Sequence, residues 1–384
     1  MSAHIHAIGT SVPTHAYSQD YALERMQKWI RDPALRRMAR RIYRHSGIER
    51  RHSVLPDFMP GGEAQLFSDD ETGRLSEPPT GTRNKIYAHA YPPLARDAVT
   101  QAFARAPHLR RADVTHVVTA SCTGFVNPGP DLYLVDAFGL APSVERYHLG
   151  FMGCYAAFPA LRMAEQFCRL DPDAVVLVLC VELCSLHLQV NDSHDMLLAN
   201  ALFADGAGAA LVSAHTPRPG QNAMALDGFA TRLAPEGLDA MAWTIGNHGF
   251  DMKLSGYVPK ILGDQAMDLA ASAFRQCEVD PTDITAWAVH PGGKAILDHI
   301  ERSLSLPHDA LAISRSVLRD FGNMSSATIL FVLERMLAQG KGTGTVAAMA
   351  FGPGLTVEFG LLRHAGHPGT PCCAPAATQV ALDA

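Results

Sequence analysis

Positive charge is scarce in this chain. Its 384 residues carry 32 Lys and Arg against 38 Asp and Glu, a formal charge of −6 and a pI near 6.3. A nucleic-acid binder normally presents a net positive surface, so that partner class is excluded and any anionic ligand has to be met locally. Long apolar runs are also missing. Runs such as 174-AVVLVLCVEL-183 reach about ten residues, half the ~20 that a bilayer-crossing helix needs. The opening MSAHIHAIGT has no basic stretch ahead of an apolar one, which leads to the expectation of a cytoplasmic protein with no membrane partner. The eight cysteines, at 122, 154, 168, 180, 184, 277, 372 and 373, are too irregularly spaced in a chain of this length for a disulfide framework. No second Cys/His pair stands at zinc-ligand spacing, so no metal is expected, and most of the thiols read as small buried hydrophobes.

What is present is the material of a large core. Hydrophobic residues make up 47% of the chain and charged residues 18%, with a mean hydropathy of +0.02, the balance of a globular protein and not of a disordered one. The length fits two domains or one duplicated fold. Short β-branched runs alternate with amphipathic stretches, which is the pattern of an α/β protein. Strands are predicted at 114–120, 174–182, 207–213, 284–290, 345–351 and 355–362, and helices at 18–30, 33–45, 92–106, 158–170, 294–303 and 324–338.

The order of these parts repeats. A strand at 114–120 is followed about 35 residues later by Cys154 at a helix head, then by strands at 174–182 and 207–213. A strand at 284–290 is followed at the same interval by Asn323 at a helix head, then by strands at 345–351 and 355–362. Two copies of one unit, packed about a pseudo-two-fold axis, would bring Cys154 and Asn323 toward each other. The seam falls in the Pro/Gly-rich stretch near 214–225, giving halves at 1–218 and 219–363. Residues 364–384 are rich in Ala, Pro, Gly and Thr and read as a disordered tail, and 52–84 reads as a long exposed loop.

Three residues invite a chemical reading, each beside a plainer one. Cys154, in 149-LGFMGCYAAFPALRMAEQ-166, follows a glycine-rich turn at the head of an amphipathic helix. Unpaired N–H groups and the helix dipole there would favour thiolate; the plain alternative is a buried structural thiol. His290 ends a strand before Pro-Gly-Gly and so projects into a crevice, though it is one of 18 histidines. Asn323, in 321-FGNMSSATILFVLERM-336, could be no more than a helix cap.

Together these residues sit in motifs that resemble a known family. GFMGCYAAFPALR, AVHPGG, FGNMSSATILFVLE and AFGPGLTVE occur in the order and spacing of the type III polyketide synthases, the chalcone-synthase-like condensing enzymes. The likeness runs from about residue 4 to residue 363, and 46-SGIERRHSV-54 and 199-ANALFADGAGAALV-212 fit it too. The resemblance implies a thiolase-like fold, two duplicated α/β halves packed as layered helices and mixed sheets. It also implies a homodimer, with Cys154, His290 and Asn323 as the catalytic set. Acyl-CoA and malonyl-CoA would be the substrates, with no cofactor. A Cys154 thiolate, paired with protonated His290, would carry the acyl starter, while His290 and Asn323 would donate hydrogen bonds to the enolate formed when malonyl-CoA loses carbon dioxide.

Other positions carry over from the same likeness. Phe203 matches the aromatic placed beside the malonyl carboxylate, where an apolar face favours decarboxylation; it could also be an ordinary core residue. Met252 stands where the family has a second gatekeeper phenylalanine, a departure that implies a more pliable entrance. Phe351, Gly352, Pro353 and Gly354 match the loop shaping the cyclisation cavity, or form a tight hairpin. Cys122, Thr123, Cys184 and His187 fall where the family lines its acyl pocket. Arg37, Arg41 and Arg44 share a helical face in a region where the family binds coenzyme A phosphates, with Arg41 the best match; a solvated basic face is the alternative. Asn127 would lie near the loop reaching the partner subunit's cavity. Met252 and 180-CVELCSLHLQ-189 resemble bacterial members that take fatty acyl starters and release alkylpyrones or alkylresorcinols. A β-ketoacyl synthase III-like single condensation, a cysteine hydrolase acting on an acyl thioester and a catalytically silent binding protein are the competing readings.

Overall fold

The computed structural model describes residues 2–67, 75–191, 193–218, 220–340 and 344–364. The first half runs β1 (Ala3–Ser11), β2 (His15–Ser18), α1 (Gln19–Trp29), α2 (Pro33–Arg44), β3 (Arg50–Ser53), α3 (Thr80–Arg105), β4 (His116–Ser121), α4 (Pro130–Phe138), β5 (Glu145–Gly150), α5 (Ala157–Leu170), β6 (Val175–Leu183), α6 (His194–Leu202) and β7 (Asp205–Ser213). The second continues with β8 (Met224–Leu233), β9 (Met241–Gly246), β10 (Gly249–Leu254), α7 (Val258–Gln276), β11 (Ile284–Val289), α8 (Lys294–Ser303), α9 (Ala312–Phe321), α10 (Thr328–Gln339), β12 (Thr345–Gly352) and β13 (Thr356–His364).

Nine strands join in one mixed sheet in the order β11-β12-β13-β8-β1-β7-β6-β4-β5. The two halves use the same pairing pattern. In the first, β1 pairs antiparallel with β7, β7 antiparallel with β6, and β6 parallel with β4. In the second, β8 pairs antiparallel with β13, β13 antiparallel with β12, and β12 parallel with β11. The halves meet where β1 pairs with β8 over Ala3–Ile5. Strands β6 and β7 are buried along their whole length, because sheets with crossover helices are covered on both faces. Helix α10 is nearly as enclosed, with Thr328–Leu333, Met336 and Leu337 all buried. It holds the second half against the strands of the first.

Two expectations are corrected. Helix α3 starts at Thr80, not 92, and carries Pro92 and Pro93 inside it. A proline there removes a helical hydrogen bond, but Tyr87, Tyr91, Leu94, Ala95 and Ala98 bury one continuous face, and that burial holds the helix together. The stretch 52–84, of which 68–74 lie outside the described residues, is not one exposed loop. Leu55, Phe58 and Phe67 are core residues, Arg83 is 1% exposed, and Asp57 accepts N–H bonds from Gln65, Leu66 and Phe67. The tail expected at 364–384 lies outside the described residues beyond His364, the last residue of β13. Among the described residues, no helix is long and apolar enough to cross a membrane and no cluster of three ligands could hold a metal. Cys122, Cys154, Cys168, Cys180 and Cys277 are buried free thiols and Cys184 is half-buried.

One surface element carries a cost. Helix α2 holds Arg36, Arg37, Arg40, Arg41 and Arg44 and no acidic residue. Its like-charge neighbours four apart, such as Arg37 and Arg41, each destabilise an isolated helix by about 0.2–0.5 kcal/mol.

Candidate active site

Cys154 stands in the turn joining β5 to α5, three residues before the helix begins. That turn is strained: Phe151 and Gly153 have φ values of 57° and 92°. A side chain at 153 would place its Cβ 2.4 Å from Pro353 Cδ, so glycine is required both for conformation and for space. The Gly153 N–H donates to Cys122 Sγ at 2.9 Å, fixing the loop from below. His290 leaves the end of β11, its N–H bonded to Met349 O of β12 at 2.8 Å, and the Pro291-Gly292-Gly293 turn leads on into α8.

Asn323 follows α9 through Gly322, whose φ is 73° and whose missing side chain would strike Arg51. Its backbone crosses to the other half. Asn323 N–H donates to Leu202 O, and Ala204 N–H donates to Asn323 O, both at 2.9 Å, so the segment brackets Phe203 at the end of α6. The carboxamide is oriented by its neighbours. Ser325 N–H can only donate, so the Asn323 oxygen faces it at 2.8 Å, with Thr328 Oγ1 at 3.4 Å. The amide nitrogen is thereby turned toward Gly292 O at 3.3 Å, with a second N–H still to give. The plain reading of Asn323 as a cap is therefore half right: its oxygen holds the 3₁₀ turn Ser325–Ala327, while its nitrogen points the other way.

Cys154, His290, Asn323 and Phe203 all line one cavity of about 650 Å³. Its wall also includes Arg41, Met252, Trp243, Phe351 and Lys294, and none of its lining residues is acidic. Behind it lies a chamber of about 70 Å³ lined by Cys122, Thr123, Cys184, His187, Phe250 and Ser325. Phe203, Trp243 and Met252 border both spaces and form the wall between them. Arg51 positions that wall, donating from one nitrogen to Asn200 O and Phe203 O, each at 2.8 Å. In the chamber, His187 Nε2 meets Thr123 O at 2.8 Å; a carbonyl only accepts, so this nitrogen carries the proton. The ring stacks on Phe250 at 3.7 Å, and burial lowers its pKa to about 4.

Burial dominates the electrostatics of the reacting groups. It pushes the Cys154 thiol up to about 12; the Ser325 and Asn323 side chains pull it down, and the nearby Glu182 pushes it further up. It lowers His290 to about 3, and neither ring nitrogen has a hydrogen-bond partner among the described residues. Burial thus works against the thiolate that a helix head would favour. The helix starts a turn too late to offset burial, and the resting cavity favours a thiol beside a neutral imidazole. A proton leaving that sulfur has to stay nearby, and His290 is a base on the same cavity wall. Glu182, fully buried below the chamber, accepts from Cys122 N–H and Thr123 Oγ1 at 2.9 Å and from Ser326 Oγ; burial raises its carboxyl to about 7.

The remaining expected residues divide. Of the three arginines, Arg41 lines the cavity, whereas Arg37 and Arg44 lie outside its lining and are exposed. Phe351 reaches the cavity, while Gly352, Pro353 and Gly354 are not among its lining. Pro353 instead backs the Gly153 turn, and Gly352 lies against Tyr155. Asn127 is exposed on the loop before α4. Trp243, Phe250, Arg51 and Ser325 were not singled out from sequence. Trp243 and Phe250 belong to the β9–β10 hairpin, and nothing in its local pattern separates wall from surface.

Comparison with known proteins agrees with this arrangement. The family model described as chalcone and stilbene synthases, N-terminal domain, matches residues 1–216, and the corresponding C-terminal domain matches 226–365. The chain is 31% identical over 373 residues to the "Alpha-pyrone synthesis polyketide synthase-like Pks18" of Mycobacterium tuberculosis, covering 94% of this chain and 91% of that one. Among solved structures it is similar to PKS-I of the brown alga Ectocarpus siliculosus, with a TM-score of 0.85, 29% identity and coverage of 94% and 98%. It is similar also to the C-terminal type III polyketide synthase domain of Steely1, a type I/III hybrid from Dictyostelium, with a TM-score of 0.85, 27% identity and coverage of 95% and 100%.

Proposed function

Because the chain belongs to the chalcone and stilbene synthase family of type III polyketide synthases, acyltransferases that form carbon–carbon bonds, we propose that it extends a fatty acyl starter with malonyl-CoA and closes the product to an alkylpyrone or alkylresorcinol. The observation that carries this reading is the meeting of Cys154, His290 and Asn323, drawn from both halves, on one cavity free of acidic lining. An anionic thioester can enter there without charge repulsion.

Cys154 sulfur attacks the starter thioester as His290 takes its proton; the coenzyme A thiolate leaves, recovers that proton, and the acyl group stays on sulfur. Malonyl-CoA then loses carbon dioxide against the Phe203 ring. The electron pair left behind forms an enolate whose oxygen is met by the His290 N–H and the free N–H of Asn323. The enolate carbon attacks the Cys154 thioester, the carbon–sulfur bond breaks, and the longer chain returns to sulfur for another round. Attack of an enol oxygen on the final thioester closes a pyrone without water. Met252 in the wall, with Met196 and Leu188 in the chamber, suits a flexible apolar starter. The relative named for alpha-pyrone synthesis supports that product class. Arg41 would meet a coenzyme A phosphate at the mouth.

The halves 1–218 and 219–363 would act as one unit in a cytoplasmic homodimer, with exposed Phe125, Asn127 and Leu132 facing the partner. A hydrolase is a poorer fit. A Cys-His-Asn hydrolase uses the amide to orient the imidazole, whereas Asn323 bonds to Ser325 N–H and Gly292 O. A panel of acyl-CoAs with labelled malonyl-CoA, read by mass, tests the proposal, with Cys154→Ala as the control that should not load. Release of free acid without carbon dioxide would support hydrolysis instead.

A further inference from the structure

Helix α2 carries more positive charge than the cavity uses. Arg37, Arg40, Arg41 and Arg44 fall within about 100° of one another around the helix axis at 3.6 residues per turn, and all four are exposed. None of the four guanidinium groups has a hydrogen-bond or ion-pair partner among the described residues. Arg41 sits at one edge of this stripe and, with Met38, Ile42 and His45, lines the cavity. Arg37, Arg40 and Arg44 continue the stripe outward from that edge. Self-repulsion along the helix is not offset by an ion pair among the described residues, and in a protein of net charge −6 such a patch attracts an acidic surface.

We propose that the stripe of Arg37, Arg40 and Arg44 docks an acidic acyl carrier protein, which hands its acyl phosphopantetheine thioester past Arg41 to Cys154. The proposal rests on the condensing-enzyme reading above. A carrier thioester and a coenzyme A thioester present the same phosphopantetheine arm, so one cavity serves both, and what differs is the body left outside the mouth. A nucleotide is small enough for Arg41 and its neighbours. A protein covers the surface beside the mouth, where the three remaining guanidinium groups lie. An anionic membrane fits less well, because Ala39 and Tyr43 of α2 are buried in the core and Met38 and Ile42 line the cavity, so the apolar side chains of the helix are turned away from the arginine stripe.

The test compares two donors, the hexadecanoyl thioester of an acidic acyl carrier protein and hexadecanoyl-CoA, with transfer to Cys154 followed by intact mass. In the Arg37→Glu/Arg40→Glu/Arg44→Glu variant, transfer from the carrier should fall about tenfold or more, and transfer from hexadecanoyl-CoA, which also feels the lost charge, should fall by a clearly smaller factor. The wild-type carrier rate should also fall with added salt. A neutral Arg37→Gln/Arg40→Gln/Arg44→Gln variant, which removes repulsion within α2, should fold and show a smaller loss in the same direction. Equal losses for both donors would assign the stripe to coenzyme A and overturn the proposal. So would a wild type that loads from hexadecanoyl-CoA and not from the carrier, or one that binds anionic lipid vesicles through these arginines without accepting the carrier thioester. If neither donor loads Cys154, the condensing-enzyme reading falls and the docking proposal falls with it.

Discussion

Two substitutions at Asn323 separate what its oxygen does for the fold from what its nitrogen does for the chemistry. Asn323→Ala removes both. The Ser325 N–H then loses its acceptor in the core, a loss of about 1–3 kcal/mol, while Thr328 Oγ1 keeps its bond from Met324 N–H at 2.8 Å. The enolate also loses one placed donor, which is worth about 10²–10³ in rate. Asn323→Asp keeps an oxygen for Ser325 N–H but puts a second carboxylate oxygen where the nitrogen stood, 3.3 Å from Gly292 O and facing the enolate. Stability should therefore fall by a few degrees in melting temperature for Ala and at least as far for Asp, whose buried carboxylate also faces the Gly292 carbonyl, and decarboxylation should be slowed at least as much by Asp as by Ala. Loading of Cys154 by acyl-CoA should persist in the Ala variant. The assays are thermal melting, intact mass for acyl loading, and carbon dioxide release from labelled malonyl-CoA. An Ala variant that decarboxylates at the wild-type rate would refute the donor role and leave Asn323 as a cap alone.

Three further outcomes follow from the site. His290→Ala leaves a thiol pushed up to about 12 by burial without its neighbouring base, so acyl loading at neutral pH should drop by about 10² or more, in keeping with the loss of a general base; unchanged loading would remove His290 from that step. Glu182 is a carboxyl raised from 4.5 to about 7 in the fold, so its contribution is complete below pH 4.5 and is lost as pH rises through 7. Stability measured by denaturant should show Glu182→Gln gaining on the wild type by up to about 3 kcal/mol between pH 5 and pH 8, and parallel curves would contradict the burial argument. Gly153→Ala forces a Cβ to 2.4 Å from Pro353 Cδ at φ 92°, a strain of about 1–3 kcal/mol, and should cut acyl loading tenfold or more while the protein still melts cooperatively. Normal loading would mean the turn does not set the thiol's position.

Much of the scaffold is legible in the residues alone, for a local reason. The run at 174–182 is apolar and rich in valine, 207–213 is a short apolar run, and 294–303 has a clean helical period, so the strands β6 and β7 and the helix α8 fall where the local pattern puts them. Cys154 before a helix, His290 after a strand and Asn323 after a glycine are likewise features of short stretches of text. The first half of helix α3 escaped because Pro92–Pro93 looks like a helix start, and the core face that carries the helix through it is assembled with distant strands.

Proximity and environment were decided by tertiary structure. Which of three arginines on one helical face meets the cavity depends on how α2 packs against α6; helical period alone does not separate Arg41 from Arg37 or Arg44, and only the family resemblance marked it. Trp243 becomes a wall residue because the β9–β10 hairpin of the second half lies over the first. The direction in which Cys154 and His290 are shifted, the thiol up and the imidazole down, follows from burial between the halves. Periodicity and turn chemistry act over a few residues, whereas desolvation and cavity shape are sums over atoms brought together only when both halves have folded.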